Sequence, residues 1–313
     1  MIVVTGALGF IGFNLVKRLN KLKKKNLILV DYKKKNLNSK KNIKYKKFIE
    51  TDKFYKNLEK YIPKSTECIF HQGANSSTTE KNRSKIFKQN YYSTMKLIKY
   101  SLKNNIKIIY ASSAATYGIK KNNFRENNWK LNPANFYAET KFLADKEINV
   151  ILKKKPRSNI VGLRYFNVYG PYESHKLNMA SVIYNFNDQY KRDKIIKLFK
   201  GSHNYKNGEQ LRDFIHVNDC VNVNIFFFKN KISGIFNVGT GKCEKFNTVG
   251  KQILEYHKKS FKKITYIDFP KSLMNSYQAY TKANITKLRK AGYKQKFITI
   301  KQGIKSYLKF LNK

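Results

Sequence analysis

The chain has 313 residues, with 65 Lys and Arg against 19 Asp and Glu, which gives a formal net charge of +46 at pH 7. Its content of 41% apolar and 14% aromatic residues excludes a disordered protein and predicts a substantial core, in one large domain or two intimate ones. No run approaches about 18 uncharged apolar residues, which excludes a membrane-spanning helix, and the start of the chain lacks the features of a secretory signal. Cys68, Cys220 and Cys243 form no CxxC pair. We therefore expect neither a disulfide framework nor a metal cluster, and a reduced cytoplasmic location.

The positive charge is spread along the chain rather than concentrated in a recognition motif. Lysine clusters at 23–25, 33–35 and 153–155 fall in predicted loops or at the ends of predicted elements. No helix-turn-helix or zinc finger accompanies them, and Lys dominates Arg, whereas base recognition favours Arg. The pattern favours a solvated basic surface, with weak, salt-sensitive binding to polyanions as its only direct consequence. We expect no specific nucleic-acid partner and no membrane partner.

Along the chain, apolar runs alternate with segments of helical periodicity. Strands are predicted at 2–5, 26–31, 68–74, 107–111 and 159–166, and helices from residue 10, at 84–103 and at 137–152. This alternation predicts an α/β fold, namely a Rossmann-type doubly wound parallel sheet with a smaller, interleaved C-terminal α/β substrate domain. We assign residues 1–168 to the dinucleotide-binding domain, completed by segments from about 213–240, and residues 169–313 to the substrate domain.

A glycine-rich loop joins the first predicted strand to the first helix. Gly6, Gly9 and Gly12 are spaced GxxGxxG. Small residues there allow a pyrophosphate to approach the free N–H groups at the helix start. Asp31 ends the second predicted strand, where an acid usually meets the ribose of adenosine. Lysines nearby are able to serve a 2′-phosphate instead, so the spacing alone leaves NAD and NADP open.

A second group of residues has the chemistry of hydride-transfer enzymes. Tyr137 and Lys141 lie four residues apart at the start of a predicted helix, and therefore on one face of it. An ammonium group beside a phenol favours the phenolate, which allows Tyr137 to exchange protons near neutral pH. Ser113 follows a predicted strand, at the edge of the sheet where parallel folds place their active sites. We expect the Ser113 hydroxyl to bind a substrate oxygen beside the phenol.

These segments together resemble a known family. GxxGxxG, SSAATYG at 112–118, YxxxK at 137–141 and RYFNVYGP at 164–171 resemble the extended short-chain dehydrogenases/reductases. Within them, GANSSTT at 73–79, HK at 175–176, MAS at 179–181 and GIFNVGTG at 234–241 resemble the ADP-L-glycero-D-manno-heptose 6-epimerases. The likeness extends from residue 2 to about residue 310.

The resemblance implies a specific reaction. Such enzymes bind NADP and invert C6″ of ADP-D-glycero-D-manno-heptose, an ADP-sugar used for lipopolysaccharide. The reaction passes through a transient ketone, with the hydride returned to the other face. Tyr137 and Lys176 would be the two proton-transfer groups, with Ser113 and Lys141 beside them. The resemblance also implies a homo-oligomer, and it allows NAD as a cofactor.

The resemblance further implies two sets of binding residues. Cofactor binding falls on Gly6, Gly9, Phe10, Ile11, Gly12, Asp31, Tyr32, Lys40, Lys53, Gln72, Gly73, Ala74, Asn75, Ser76, Asn90, Lys141, Val168 and Lys176. Substrate binding falls on Ser113, Asn167, Asn178, Asn185, Phe199, Lys200, Gly201, Ser202, Arg212 and Tyr277. Asn178 and Asn185 depart from the family's usual Ser and His, and a short insertion near 206–211 precedes Arg212. A structural pairing of Arg212 with Asp213 is the alternative interpretation of that arginine.

Other interpretations remain open at this point. The nearest is a UDP-hexose 4-epimerase or related nucleotide-sugar enzyme with the same Ser, Tyr and Lys. A 4,6-dehydratase needs an acid pair, and Ala114 and Ala115 offer none. A non-catalytic basic Rossmann module that binds RNA or membranes would not require a nicotinamide cofactor. His71 lies in a buried-strand pattern and is expected to be a core residue rather than a metal ligand.

Overall fold

A computed structural model describes residues 1–32, 43–119, 124–271, 274 and 277–312. The chain forms two compact units, each assembled from separate segments. The first unit comprises residues 1–116, 135–164 and 221–236. The second comprises residues 117–134, 165–220 and 237–313.

A parallel sheet forms the centre of the first unit. Among the described residues it has seven strands in the order β11-β6-β5-β4-β1-β2-β3. The strands are β1 (Ile2–Thr5), β2 (Leu27–Asp31), β3 (Lys47–Glu50), β4 (Cys68–His71), β5 (Lys107–Ser113), β6 (Ile160–Tyr165) and β11 (Gly234–Val238). The order reverses direction at β1 and β4, and ligands of open α/β sheets bind at such a switch point.

The central strands are apolar on both faces because helices cover both sides of a parallel sheet. Every residue of β1 and β4 is buried. The register places Thr5 opposite both Val30 and His71, so β1, β2 and β4 end level with one another. Their carboxyl ends therefore present the loops that follow them at one edge of the sheet.

The helices of the first unit connect these strands. They are α1 (Phe10–Lys21), α2 (Thr51–Lys56), α3 (Leu58–Tyr61), α4 (Arg83–Phe87), α5 (Ser93–Asn104) and α6 (Phe136–Lys153). The single helix predicted at 84–103 is interrupted by a π-helical segment at Lys88–Tyr92, between α4 and α5. Such segments are rare and occur frequently at functional sites.

The second unit contains shorter elements. Its strands are β7 (Asn167–Tyr169), β8 (Ile196–Phe199), β9 (Leu211–Arg212), β10 (Phe214–His216), β12 (Glu244–Lys245) and β13 (Ile264–Ile267), which pair as β10-β7, β12-β9 and β13-β8. Its helices are α7 (Val182–Asp193), α9 (Phe246–Tyr256), α10 (Thr286–Lys290) and α11 (Ile300–Leu311). Helix α8 (Val217–Lys229) starts here, and its residues from 221 onward belong to the first unit. Apolar faces of α7, α9 and α11 pack into one core with β8.

Within the described ranges, no helix is long and apolar enough to cross a membrane. Over the same residues, no three His, Cys, Asp or Glu side chains are grouped as a metal ion would need.

Candidate active site

The glycine-rich loop lies between β1 and α1, where the sequence places it. Gly6 has φ of +62°, a conformation that L side chains rarely adopt, and an added Cβ would lie 2.5 Å from Gly73 Cα. A Cβ on Gly12 would lie 2.0 Å from the carbonyl oxygen of Gly6. Gly9 precedes α1 and offers no side-chain cap. The two glycines thus allow the loop to pack tightly against the surrounding backbone, and the start of this 12-residue helix has no capping side chain in the place where an anion would bind.

Asp31 lies at the end of β2, beside this loop. Its Oδ2 accepts a hydrogen bond from Leu8 N at 2.7 Å, and its Oδ1 accepts one from Tyr32 N at 2.8 Å. A cavity of about 130 Å³ is lined by the glycine loop, Asp31 and the segment from Gln72 to Asn75. A neighbouring cavity of about 660 Å³ shares Tyr32, Thr51, Tyr55 and Gln89 with it. The glycine-rich loop, the Asp31 carboxylate and the two adjoining cavities together fit a dinucleotide.

The loop after β4 is fixed by Asn90, in the π-helical segment. Asn90 is 1% exposed, accepts a hydrogen bond from Asn75 N at 2.8 Å and donates to Asn75 O at 3.0 Å. It also donates to the Thr140 hydroxyl at 3.2 Å. The π-helical turn therefore brings one amide side chain into contact with both the loop and helix α6.

Ser113, Tyr137 and Lys141 come together in the first unit. Ser113 ends β5, and Asn135 caps α6 by accepting a hydrogen bond from Ala138 N at 2.9 Å, which starts the helix just before Tyr137. Lys141 is buried, and its Nζ donates to the carbonyl oxygen of Ala111 at 2.7 Å. The Tyr137 phenol lies close enough to the Ser113 side chain for the hydroxyl to lower the pKa of the phenol. The hydroxyl, the phenol and the amine therefore lie at the carboxyl end of β5.

The protonation of this group differs from the sequence expectation in one respect. Burial raises the pKa of Tyr137 above its usual value, and the nearby Ser113 side chain opposes this only in part. Burial lowers the pKa of Lys141 to about 8. The expected depression of the Tyr137 pKa by Lys141 is therefore not present in the protein alone, because loss of water dominates.

A second polar and aromatic group lies in the second unit. The Arg212 guanidinium is 4.7 Å from the centre of the Tyr277 ring and 5.9 Å from that of Phe246. The Tyr277 ring in turn contacts Phe269, with centroids 5.0 Å apart, and Phe269 contacts Phe199 at 5.2 Å. Such a cluster, with a fork-shaped donor beside aromatic rings in edge-to-face contact, suits a diphosphate joined to a flat base.

The alternative pairing of Arg212 with Asp213 does not occur. The Asp213 carboxylate instead accepts hydrogen bonds from the backbone of Thr240, Gly241 and Ala283, at 2.7 to 2.9 Å. These bonds connect three segments of the second unit. Asp213 is therefore a structural residue, and Arg212 donates to the carbonyl oxygen of Leu211 at 3.3 Å rather than to Asp213.

Lys176 lies in a short 3₁₀ segment, Ser174–Met179, of the second unit. Burial lowers its pKa, and the nearby Glu173 opposes this. Glu173 is itself 0% exposed and accepts hydrogen bonds from Gly170 N at 3.1 Å and Ser181 N at 2.7 Å. It therefore ties together the two ends of the loop that carries Lys176.

The remaining predicted residues divide between the two units. Asn167 Nδ2 donates to the Thr281 hydroxyl at 2.9 Å, and Asn185 Nδ2 donates to Ala180 O at 3.1 Å. Lys53 is exposed and pairs with Glu50 at 3.3 Å. Lys40 lies outside the described residues, as does the side chain of Asn178. Of the other predicted binding residues, the first unit contains Phe10, Ile11, Ala74 and Ser76. The second unit contains Val168, Lys200, Gly201 and Ser202.

Asp145, Arg164 and Glu173 are among the buried charged residues that sequence reasoning missed. Asp145 was foreseeable in part, since it follows Tyr137 and Lys141 at the same spacing of four and therefore lies on their face of α6. Nothing in the sequence pairs it with Arg164, which lies on the next element, β6.

Comparison with known proteins shows the family of the chain and the fold that it shares. A family model described as the NAD dependent epimerase/dehydratase family matches residues 2–239. The chain is similar to the solved structure of ADP-L-glycero-D-manno-heptose-6-epimerase from Helicobacter pylori, with 29% identity and a TM-score of 0.84 over 99% of this chain and 96% of that one.

Two further structures show how widely the fold is shared. UDP-N-acetylglucosamine 4-epimerase from Methanobrevibacter ruminantium, solved with UDP-N-acetylmuramic acid, has 25% identity and a TM-score of 0.84 over 99% of this chain and 97% of that one. UDP-glucose 4-epimerase from Thermus thermophilus, solved with NAD, has 20% identity and a TM-score of 0.79 over 99% and 98%. The last likeness shows the fold alone.

Proposed function

Because the chain belongs to the NAD dependent epimerase/dehydratase family, we propose that it is a nucleotide-sugar epimerase that inverts C6″ of ADP-D-glycero-D-manno-heptose. The observation that carries the proposal is the group of Ser113, Tyr137 and Lys141 at the end of β5, in the same unit as the glycine-rich loop. The product would be ADP-L-glycero-D-manno-heptose, a precursor for lipopolysaccharide.

Each residue of that group has a role that follows from its chemistry. A bound nicotinamide cofactor supplies a hydride acceptor that returns the hydride at the end of the cycle. Tyr137 moves the proton of the sugar hydroxyl, and Ser113 donates a hydrogen bond to the same oxygen once it becomes a carbonyl. Lys141 supplies positive charge near the phenol, since its pKa of about 8 leaves it largely protonated at neutral pH.

Inversion requires proton transfer on a second face, and Lys176 is the proposed group. Its lowered pKa suits a lysine that both takes and gives a proton. The neighbouring loop contacts through Glu173 hold it in place. The resemblance of HK at 175–176 and MAS at 179–181 to the heptose epimerases also supports this role.

We propose NADP as the cofactor. The whole-chain resemblance supports this, and so do three lysines, Lys85, Lys88 and Lys96, that line the 660 Å³ cavity beside Asp31. Three cations near the end of β2 favour a 2′-phosphate on the ribose. NAD remains the competing cofactor, because Asp31 itself suits a free 2′-hydroxyl.

The second unit is proposed to bind the ADP moiety. Arg212 would hold the diphosphate, and the rings of Tyr277 and Phe269 would pack against the adenosine. The enzyme is proposed to act in the cytoplasm as a homo-oligomer, with no specific nucleic-acid or membrane partner.

The test is incubation of the purified protein with ADP-D-glycero-D-manno-heptose, followed by NMR of C6″. We expect the L-glycero epimer to form without added reductant. Tyr137→Phe protein serves as the control for a contaminating activity. No conversion by protein that retains bound nicotinamide cofactor would contradict the proposed substrate.

The second candidate is a UDP-sugar 4-epimerase. It is favoured by the equal TM-score of 0.84 to the Methanobrevibacter ruminantium enzyme. UDP-glucose and UDP-N-acetylglucosamine are therefore tested in parallel, and turnover of either in place of the heptose substrate would favour this candidate.

A further inference from the structure

Asp145 and Arg164 form an ion pair that is fully buried in the first unit. Arg164 Nε donates to Asp145 Oδ2 at 2.7 Å, and both side chains are 0% exposed. Tyr110 donates to Oδ1 at 2.9 Å, and Ser112 donates to Oδ2 at 2.8 Å. A buried ion pair stabilises a fold only when such additional hydrogen bonds satisfy it. A protein in which apolar residues of similar volume replace the pair is often at least as stable. Its charges are therefore not needed for packing.

The pair lies directly behind the proposed catalytic group. Asp145 follows Lys141 by one helical turn and Tyr137 by two, so all three lie on one face of α6. The donors Tyr110 and Ser112 belong to β5, which ends at Ser113. Asp145 therefore connects the helix that carries the phenol to the strand that carries the hydroxyl.

The acidic member of this pair also acts on Lys141. The titratable and charged residues around Lys141 are Tyr137 and Asp145 on α6, Tyr110 on β5, His71 on β4 and Arg164 on β6. Burial lowers the pKa of His71 to about 3, so it is neutral at working pH. Burial likewise lowers the pKa of Lys141, and the negative charge of Asp145 opposes that effect. Asp145 is thus the charge that acts on Lys141, and Arg164, whose Nε lies 2.7 Å from the Asp145 carboxylate, is the opposite charge that compensates it.

We propose that Asp145 and Arg164 are positioning residues that hold α6 against β5 and, through their opposite charges, set the pH at which Lys141 loses its proton. This inference rests on the proposed function, in which a protonated Lys141 supports proton transfer by Tyr137. Turnover then falls at alkaline pH as Lys141 deprotonates.

The two charges predict shifts of opposite sign. In Asp145→Asn, the positive charge of Arg164 remains alone near Lys141, so the alkaline limb of the kcat profile moves down by about one pH unit or more. In Arg164→Gln, the lone carboxylate stabilises protonated Lys141, so the limb moves up. In the double variant both charges are absent, and the limb returns close to its wild-type position.

The experiment compares kcat for the wild type, the three variants and Lys146→Gln. The pH range, from about 6 to about 10, extends to both sides of the Lys141 pKa. Lys146 is exposed on the same helix, and its neutralisation is expected to leave the profile unchanged. The pH dependence of NADPH binding, followed by fluorescence, is measured alongside as a readout independent of turnover. Circular dichroism shows which variants fold, and the double variant, which leaves no unpaired buried charge, is the one expected to fold most readily.

Opposite shifts of the single variants, cancelled in the double variant, are the expected result. If the single variants instead lose kcat equally at every pH, and the alkaline limb of the profile does not move, the inference is overturned. The pair then has a purely structural role. A wild-type protein that converts no nucleotide sugar would instead overturn the proposed function, so the two failures are distinguishable.

Discussion

The guanidinium carbon of Arg212 lies over the ring of Tyr277, 4.7 Å from the centre of the ring. Such contact fixes the plane of the donors before any ligand arrives, and burial keeps them from water. A lysine at this position would keep the charge but lose both the stacking and the paired donors.

Arg212→Lys is therefore expected to weaken binding of ADP-sugars by about tenfold or more, while binding of the nicotinamide cofactor stays unchanged. Isothermal titration calorimetry at one fixed salt concentration measures both. The matched control is Arg192→Lys, the same substitution at an exposed arginine paired with Asp193. Equal affinity of the Arg212 variant and the wild type for ADP-sugars would remove Arg212 from the binding site.

Tyr137→Phe is expected to lower turnover by about 10²- to 10⁴-fold, the usual contribution of a proton-transfer group. Binding of the cofactor is expected to persist, because the phenyl ring remains and only the hydroxyl is lost. Steady-state turnover and NADPH fluorescence measure the two effects. Tyr45→Phe, at an exposed tyrosine of the same unit, is the control. Full activity of the Tyr137 variant would exclude the phenol from the chemistry.

Gly12→Ala is expected to destabilise the protein by about 1–3 kcal/mol, the usual cost of overpacking. The new methyl group would lie 2.0 Å from the carbonyl oxygen of Gly6. Gly9→Ala is the graded comparison, because its methyl group would lie 3.2 Å from the same oxygen. Urea denaturation gives both free energies of unfolding, and equal values would show that the loop adjusts at no cost.

Lys88→Gln is expected to weaken binding of NADPH and to leave binding of NADH unchanged. Lys88 lines the cavity beside Asp31, where a 2′-phosphate would meet it. Lys99→Gln removes a charge from the exposed face of α5 away from that cavity and is the control. Fluorescence titration with each cofactor gives the selectivity. Equal loss for both cofactors, or none, would contradict the proposed preference for NADP.

His71 is expected to make the stability of the protein decrease in acid. Its Nδ1 and Nε2 lie 2.7 and 2.9 Å from the hydroxyls of Thr5 and Thr94, and burial lowers its pKa from 6.5 to about 3. Below about pH 6.5, His71 is protonated in the unfolded chain but stays neutral in the folded chain. The contribution of the neutral ring is thus present above that pH and is lost towards pH 3, by about 1.4 kcal/mol per pH unit.

Urea denaturation of the wild type and His71→Gln at pH 7.5, 6 and 4.5 (steps of about 1.5 units across the window) tests this. Glutamine carries no titrating proton, so the difference in unfolding free energy between the two proteins is expected to shrink as the pH falls. The value at pH 7.5 measures the cost of the substitution itself. A difference that stays constant across these pH values would show that His71 is not buried in its neutral form.

The sequence was sufficient for most strands of the central sheet and for the family. Runs such as IVVT at 2–5 and CIFH at 68–71 are apolar at every position, which is typical of strands covered on both faces, and the structure has strands there. The Rossmann-type fold and the resemblance to epimerases are confirmed. The expected position of His71 in the core is confirmed as well.

What sequence reasoning missed depends on contacts across space. Strand β3, with the sequence KFIE, has only one buried residue and gives no apolar signal, because it is the edge strand next to β2. The sequence predicted that the pKa of Tyr137 is lowered, whereas burial raises it in the structure. Burial depends on packing, which the spacing of residues does not contain. The roles of Lys176 and the ADP-binding residues stay predictions.

The edge strand β11 also has a consequence for synthesis on the ribosome. The sheet of the first unit is closed on that side by residues 234–238, which pair with β6. A nascent chain that has emerged only as far as residue 168 therefore exposes the unpaired edge of β6, a template for association with other chains. Completion of the sheet has to wait until most of the chain has been translated, so this protein is expected to need protection from aggregation during that interval.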